Sequence, residues 1–385
     1  MYFTEEHEIF RESFKKFLQK EVVPHIEKWE ATGHIERFIW SKFGSMGYLG
    51  LNYPEKYGGM DLDIFYMVIF LEELQKIKSS GFAAAIWAHV YLAMTHLNEE
   101  GHHEIKQKYL ASSITGEKIG CLCITEPFGG SDVAGMRTTA TREGDCYTIN
   151  GSKTFITNGV YSDYLIVAVK TDSISKHEGM SIFVIDRETP GISATKLDKL
   201  GWKASDTGEI AFDNVKVPCC NLIGEEGKGF SYIMQHFALE RLIMGVNAHA
   251  RAAYALDYVI QYTSERHAFG KKLNQFQALR HKIVEMASEI EICKEFNYSI
   301  AKRIHDGQYM VKEASMSKLQ STKMADKVIY EALQLLGGYG YMEEYPMARL
   351  LRDSRLGPIG GGTSEILKEI IAKMIIDKKS YATTT

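Results

Sequence analysis

One acid and one base interrupt a strongly apolar stretch in the second half of the chain. Glu240 and Arg241 stand within residues 237–244, whose other members are all apolar. Desolvation in such surroundings raises the pKa of a carboxyl group, which suits it to act as a general base near neutral pH. A structural contact between Glu240 and Arg241 explains the same pattern equally well, so the residues alone leave both interpretations open.

A second segment carries hydroxyl groups beside adjacent glycines. Residues 124–132 read Ile-Thr-Glu-Pro-Phe-Gly-Gly-Ser-Asp and follow an apolar run typical of a strand. Exposed backbone N–H groups and the hydroxyls of Thr125 and Ser131 could bind the polar edge of a ring or a phosphate. An ordinary glycine-rich turn also explains the segment, and it is the favoured interpretation when the segment is taken alone.

Further candidates lie in the last third of the chain. Residues 266–270 read Arg-His-Ala-Phe-Gly and precede Gln-Phe-Gln at 275–277, while glycine clusters occupy 334–341 and 358–365. A guanidinium donates paired hydrogen bonds to phosphate, and glycines let the backbone approach a ligand closely. Helix ends with a surface arginine and buried phenylalanines are the alternative, favoured for each segment taken singly. Because the cysteines and histidines lack the spacing of zinc ligands, no metal site is predicted.

The residue pattern changes twice along the chain, which predicts three domains that position these residues. Residues 1–118 carry apolar residues at helical spacing and are expected to form a helical domain. Residues 119–225 alternate β-branched runs with Gly, Asn and Asp turns, which predicts an antiparallel β domain. Residues 226–385 contain no proline before Pro346, which permits long helices and predicts a four-helix bundle. The expected fold class is α+β, with helical domains on both sides of a β domain.

Finer expectations concern individual elements. An amphipathic first helix is predicted, bent or ended by Pro24, from an apolar stripe at Ile9, Phe10, Phe14, Phe17, Leu18 and Val22. Further helices are expected over 62–78 and 81–112. Residues 165–169 are apolar on both faces of a strand, so each face is expected to pack against something other than water.

Composition excludes several classes of function. Hydrophobic residues make up 45% of the 385 residues and charged residues 24%, and the formal net charge is −4. Such a balance gives no general field for binding nucleic acid. The uncharged stretch at 79–98 is interrupted by His89 and His96, so a buried helix is expected there rather than a membrane span. The six cysteines are expected to be reduced thiols, and the absence of leader features predicts a cytoplasmic location.

Six segments in their order and spacing resemble the acyl-CoA dehydrogenase family over nearly the whole chain. They read Ile-Thr-Glu-Pro-x-x-Gly-Ser-Asp, Asn-Gly-Ser-Lys-Thr-Phe-Ile-Thr-Asn, Arg-x-x-Phe-Gly, Phe-Gln, Gln-x-x-Gly-Gly-x-Gly and Gly-Gly-Thr-Ser-Glu. The resemblance implies FAD-dependent α,β-dehydrogenation of an acyl-CoA thioester to the trans-2-enoyl-CoA. It also implies a homotetramer and electron-transferring flavoprotein as the electron acceptor.

The resemblance bears on the catalytic base as well. Many members carry the catalytic glutamate immediately before Gly-Thr, where this chain has Gly361. The isovaleryl-CoA and long-chain branches instead carry it on a helix of the last bundle, in a Leu-Glu-Arg or similar context that matches residues 239–241. The resemblance therefore implies that Glu240 removes the α-proton while the β-hydride leaves for flavin N5.

The remaining site residues are also assigned by resemblance. Around the flavin ring these are Leu122, Cys123, Ile124, Thr125, Ser131, Phe155, Ile156 and Thr157, where many relatives have Trp in place of Phe155. Around the ADP half, Arg266, Phe269 and Gln277 are expected from one subunit and Gln334, Gly337 and Gly338 from its neighbour, with Thr363, Ser364 and Glu365 completing the site. Contacts with the CoA thioester are expected from Ser131, Ala238, Leu239, Arg241, Gly361 and Gly362.

Other functions remain open at this stage. The same fold hosts acyl-CoA oxidases, enoyl-CoA reductases acting on carnitine-like thioesters, and flavin monooxygenases. A non-catalytic flavin- or CoA-binding module, or a helical scaffold, is an alternative of a different class. Anaerobic bleaching of a yellow chromophore by acyl-CoA, with slow reoxidation by oxygen, is the result that favours a dehydrogenase.

Overall fold

Eight short helices pack around one core in the N-terminal third of the computed structural model, which describes residues 2–172 and 178–379. They are α1 (Glu5–Phe17), α2 (Ile26–Thr32), α3 (Arg37–Ser45), α4 (Ile64–Gln75), α5 (Ser80–Ala88), α6 (Met94–Glu100), α7 (His103–Ile105) and α8 (Ala111–Ile114). Wider π-helical turns at Leu18–Val22, His89–Ala93 and Lys106–Leu110 continue α1, α5 and α7.

The predicted helices are present, with two differences. Pro24 lies in a 3-10 turn that separates α1 from α2, as expected of a residue without a backbone N–H. Ile9 was wrongly placed on the apolar stripe, because its side chain is exposed while Phe14 is buried. The helix predicted over 81–112 ends at Gly101, whose backbone is extended. A Cβ there would lie 2.4 Å from the carbonyl oxygen of Leu97, so the tight exit requires glycine.

The middle of the chain forms one eight-stranded sheet. Its strands are β1 (Gly120–Cys123), β2 (Thr139–Glu143), β3 (Cys146–Thr157), β4 (Tyr164–Lys170), β5 (Met180–Asp186), β6 (Ile192–Lys196), β7 (Thr207–Pro218) and β8 (Leu222–Ile223). Seven of them pair in the order β6-β7-β3-β2-β4-β5-β8, and β1 pairs with β4.

The sheet is mixed, which corrects the expectation of a purely antiparallel domain. β1 runs parallel to β4, and β2 meets β4 in a parallel bridge between Thr139 and Lys170. Parallel neighbours require a crossover rather than a tight turn. The segment between β1 and β4, which contains the β2–β3 hairpin, supplies that crossover. The regularly spaced turn residues indicated only the hairpins.

Strand β4 is buried on both faces, as its sequence predicted. Leu165 and Val167 lie in the core enclosed by the sheet. Ile166 and Ala168 lie in the core that the sheet shares with the N-terminal helices and with residues 242–246. The sheet is therefore the layer that joins the N-terminal helices to the C-terminal part of the chain.

Three long helices dominate the C-terminal part, as its lack of proline permits. The elements are α9 (Gly229–Glu265), the hairpin strands β9 (His267–Ala268) and β10 (Lys271–Lys272), α10 (Gln277–His305), α11 (Val311–Leu336), α12 (Pro346–Ser354) and α13 (Ser364–Ile375). Helices α9, α10 and α11 share one apolar core, to which α12 contributes Met347 and Leu350. The domain boundaries near residues 118 and 225 stay predictions.

Two further observations concern the cysteines and the helices. All six cysteines lie in the described part of the chain and are free thiols. Among the residues that the structure describes, no helix combines the length and apolar character needed to cross a membrane.

Candidate active site

Glu240 lies on α9, eleven residues after the helix begins at Gly229. Its neighbours Leu242 and Ile243 are buried in the main core, so the helix is held tightly against the sheet and the N-terminal helices. Burial raises the pKa of Glu240, and the positive charges of Arg241 and Lys318 only partly oppose this rise. A carboxylate with a raised pKa binds a proton more readily, which is what a general base requires.

The glycine segment Gly360–Gly362 faces Glu240 across a narrow space. Gly361 has φ of +61°, a conformation that favours glycine. A Cβ at Gly361 would lie 3.4 Å from Glu240 Oε1 and 3.4 Å from Met244 Cγ. Positions 240 and 361 therefore border the same small volume, although they are far apart in sequence.

Lys318 of α11 connects these two elements, and the sequence analysis missed it. Its side chain is fully buried, and Nζ donates a hydrogen bond of 2.6 Å to the carbonyl oxygen of Gly362. Burial lowers the pKa of Lys318 to about 8, although the charge of Glu240 raises it. Its helical spacing from Ala314 and Ala325, which are also buried on α11, could have indicated it. A lysine is almost never fully buried unless it is paired, so one at such a position is expected to have a partner.

The residues beside Glu240 divide between two environments. Arg241 is buried and its Nη1 donates to Ser315 Oγ at 3.2 Å. Ala238 packs in a small apolar cluster with α11, and Leu239 packs against the main core. Ala238 and Leu239 were expected to contact substrate, and both assignments stay predictions.

A bulge at the end of β3 presents an aromatic ring to the outside of the sheet. The register between β3 and β7 shifts between Lys153 and Ile156, and Phe155 within the shift has φ of +60°. A β-bulge re-aims the side chain it carries. The Phe155 ring is 70% exposed, whereas Ile156 and the strand around it are buried. Phe155 thus offers a flat apolar surface suited to stacking against a planar ring.

A buried ion pair fixes the 124–132 loop beside this bulge. Lys153 Nζ donates to Glu126 Oε1 at 2.8 Å and to the carbonyl oxygen of Ile124 at 3.0 Å. Glu126 also accepts from the backbone N–H of Thr138 at 2.9 Å. The backbone N–H of Thr154 donates to the carbonyl oxygen of Thr125 at 2.9 Å. Thr125 and Phe155 are therefore near each other, and their contacts with a flavin ring stay predictions.

Burial separates the other predicted flavin contacts into two kinds. The side chains of Cys123 and Ile156 are buried in the sheet's own core, so only their backbone groups can face a cofactor. Leu122, Ile124, Thr125 and Thr157 are partly exposed, and Ser131 is exposed on the loop. Alternation along β1 explains the division, because successive side chains point to opposite faces of a sheet.

The remaining predicted cofactor residues fall into two groups. Thr363 is the N-cap of α13 and its hydroxyl accepts from the backbone N–H of Ile366, so residues 363–365 form a helix start next to Gly361. The other group lies where α9 ends and α10 begins, together with the end of α11. All of its members are exposed: Arg266, Phe269, Gln277, Gln334, Gly337 and Gly338. Arg266 lies over the Tyr339 ring of the same chain, 5.4 Å from its centre.

Three family models match consecutive parts of this chain. They describe the N-terminal, middle and C-terminal domains of acyl-CoA dehydrogenases and match residues 4–117, 121–215 and 227–376. The chain belongs to the acyl-CoA dehydrogenase family. The family, the fold class and the general activity expected from the sequence, that of an acyl-CoA dehydrogenase, are thereby confirmed.

Similar proteins include both branches to which the position of Glu240 pointed. The mitochondrial long-chain specific acyl-CoA dehydrogenase of Mus musculus is 39% identical, over 97% of this chain and 87% of its own length. The mitochondrial isovaleryl-CoA dehydrogenase of Oryza sativa subsp. japonica is 37% identical, over 98% and 93%. The crystal structure of an acyl-CoA dehydrogenase from Geobacillus kaustophilus matches with a TM-score of 0.94 and 43% identity, covering 97% of this chain and 99% of that one.

Proposed function

We propose that this acyl-CoA dehydrogenase oxidises its thioester at the Cα–Cβ bond with Glu240 as the base. The observation that carries the assignment is that a Cβ at Gly361 would lie 3.4 Å from Glu240 Oε1, so a side chain at either position would occupy the same volume. Position 361 is where many family members hold their base, so a base at either position reaches the same carbon. Substitution of Glu240, described in the Discussion, tests this assignment.

The chain's own residues account for the proton and for the carbonyl oxygen. Glu240 accepts the α-proton as the thioester acquires enolate character. The backbone N–H of Gly361 is the proposed donor to the carbonyl oxygen, and the bond from Lys318 to Gly362 holds that segment in place. A bound flavin would supply the acceptor for the β-hydride. The hydride would carry away two electrons and one proton, the α-proton would pass to Glu240, and the trans-2-enoyl-CoA would remain.

The described residues fit an FAD of this kind. The exposed Phe155 ring at the bulge offers a stacking surface, while the anchored Thr125 loop supplies hydroxyl and backbone groups. Residues 363–365 supply a helix start, where backbone N–H groups favour anionic or polar atoms. FAD as this chain's own cofactor and the individual contacts are part of the proposal.

A homotetramer is also proposed from the family resemblance, and the distance between the two ends of the predicted cofactor site within one chain supports association of chains. Arg266 caps the C-terminus of α9, about seven turns and about 39 Å from Glu240 along a continuous helix. That separation exceeds the length of an extended FAD. If Arg266 binds the pyrophosphate, it therefore does so in a neighbouring subunit's site. Exposed apolar side chains near this end, such as Phe269 and Tyr341, support association there.

Arg266→Ala is expected to weaken FAD retention more than it slows the reaction of the FAD-saturated enzyme. Losing a charge-assisted hydrogen bond costs about 1.5–3 kcal/mol, which corresponds to a rise in Kd of roughly 10- to 150-fold. The measurement is FAD content after dilution and gel filtration. Arg303→Ala, at an exposed position near the other end of α10, is the matched control. Normal FAD retention in Arg266→Ala would show that Arg266 is not a phosphate ligand.

Lys318→Met is expected to move the pH dependence of flavin bleaching to higher pH. The positive charge of Lys318 lowers the pKa of Glu240, so its loss raises that pKa further and the deprotonated base appears only at higher pH. The measurement is the anaerobic rate of bleaching by acyl-CoA as a function of pH. Lys323→Met changes an exposed lysine of the same helix and should leave the profile in place. An unmoved profile in Lys318→Met contradicts the coupling.

One finer assignment rests on the family resemblance: electron-transferring flavoprotein is the proposed acceptor. A cytoplasmic location stays a prediction. Rapid turnover with oxygen as the sole acceptor, with formation of peroxide, would instead indicate an oxidase.

A further inference from the structure

Two histidines and a glutamate meet in the interior where α6 contacts α9. His96 and Glu100 stand one helical turn apart on α6, and His236 stands one turn before Glu240 on α9. One ligand atom from each of the three lies within 4.8 Å of the others. Within residues 2–172 and 178–379 no other group of three such side chains has this geometry.

The polar atoms of this His–Glu–His cluster are only partly satisfied. His236 Nε2 lies 2.7 Å from Glu100 Oε1, which is a good hydrogen bond. His96 Nδ1 and Glu100 Oε2 are 3.4 Å apart, yet both are buried atoms that make no hydrogen bond. Buried polar atoms are nearly always paired, so these two neighbouring atoms are suited to share one ligand.

The distances within the cluster are near those around a small cation. Zn²⁺ holds nitrogen and oxygen ligands at about 2.0–2.2 Å, which sets tetrahedral ligand atoms about 3.4 Å apart. The two His–Glu distances are 2.7 and 3.4 Å, to different oxygens of Glu100, and one ligand atom from each of the three residues lies within 4.8 Å of the others. Rotation of the side chains would therefore bring all three onto one ion.

We propose that His96, Glu100 and His236 form a divalent-metal site of the zinc type that joins α6 to α9. Two imidazoles and one carboxylate are a donor set that zinc uses, with a fourth position left for water. The site is independent of the proposed reaction, because none of its three groups is assigned to flavin or thioester. Its structural consequence is a cross-link one turn away from Glu240, which holds the start of α9 against the N-terminal helices.

No metal site is predicted from the sequence, because the three proposed ligands are not close together along the chain. His96 and Glu100 have the i, i+4 spacing that places two ligands on one helix face, but the third ligand lies more than a hundred residues away. Only the packing of α6 against α9 brings the three together.

Calorimetric titration of the FAD-loaded, chelator-treated protein with ZnCl₂ tests the site. We expect one zinc per chain and a higher Tm in its presence. Loss of a ligand in His96→Gln or His236→Gln should weaken binding by more than the roughly 10- to 100-fold that outer-shell changes cost. His236 is the least buried of the three, so His236→Gln should keep its FAD and remain a valid test if His96→Gln does not fold.

Two controls separate this site from other zinc-binding groups. His102→Ala removes an exposed histidine that pairs with Glu104, and it should bind zinc as the wild type does. Co²⁺ bound at the cluster should show no thiolate charge-transfer absorption, which distinguishes it from binding at Cys219 or Cys220. The proposal is overturned by the absence of saturable binding, by unchanged affinity in His236→Gln, or by a thiolate signal.

Discussion

Glu240→Gln is expected to keep FAD and the fold but to lose the bleaching of the flavin by acyl-CoA. Glutamine fills the same volume as glutamate yet cannot accept the α-proton. Removal of a general base costs roughly 10²- to 10⁴-fold in rate. The measurement is the first-order rate of absorbance loss after anaerobic mixing of the FAD-loaded variant with acyl-CoA. Bleaching at the wild-type rate would show that another group is the base.

Stability provides the control for this variant. The pKa of Glu240 is raised in the folded protein, so the folded state holds its proton more tightly than the unfolded chain. The resulting stabilisation is complete below the unfolded pKa and is lost as pH rises through the folded pKa. A neutral glutamine avoids this loss, so the Tm of Glu240→Gln at neutral pH should equal or exceed that of the wild type. A lower Tm would attribute lost activity to damage of the fold.

Moving the catalytic glutamate from position 240 to position 361 is expected to change the preference between branched and straight acyl chains. In the wild type, Gly360–Gly362 leave space beside the reacting carbons, which we expect to admit a branch near the thioester. The double variant Glu240→Gly, Gly361→Glu places the carboxylate on the opposite wall. The double variant should regain part of the straight-chain activity that loss of Glu240 alone removes. Its kcat/KM for substrates with a branch methyl should be lower than for straight chains by about 10- to 200-fold. The measurement is kcat/KM for isovaleryl- or isobutyryl-CoA against butyryl- and octanoyl-CoA.

Backbone strain has to be separated from the effect of filling the space. Gly361 and Gly362 both have positive φ, at +61° and +87°, so a side chain at either costs about 1–2 kcal/mol. A Cβ at Gly361 meets Glu240 and Met244, while one at Gly362 meets Leu367 at 3.6 Å. Gly361→Ala should therefore lower the branched-to-straight ratio and Gly362→Ala should not. Two results count against the account: rejection of every branched substrate by the wild type, and an unchanged ratio in the double variant.

Local sequence patterns predicted much of this fold because they report local physics. The proline-free stretch after Pro218 predicted the long helices α9 to α11. The doubly apolar run of β4 predicted its burial on both faces. The parallel pairing of β1 with β4 was not predicted, since it depends on a crossover whose path no local pattern specifies.

In the candidate site, too, some residues could be predicted from the sequence and others could not. Glu240 stood out because charged residues interrupt an apolar run there, and Thr125 because hydroxyls lie beside adjacent glycines, whereas Phe155 was assigned by family resemblance. Lys318 did not stand out, because a lysine on a helix is ordinarily a solvated residue and only packing shows that this one is buried beside Gly362. The adjacency of Gly361 and Glu240 was suggested by family resemblance, and the 3.4 Å contact needed the structure.

The most direct test of Glu240 as the base measures proton removal apart from hydride transfer. A 3-thia-acyl-CoA has sulfur in place of the β-carbon, so its α-protons can be removed but no β-hydride can leave. Its α-protons are followed by mass spectrometry during incubation with the FAD-loaded enzyme in D₂O. We predict deuterium incorporation by the wild type, faster as pH rises through the raised pKa of Glu240, and none above background by Glu240→Gln. Equal incorporation by the two proteins would contradict the assignment.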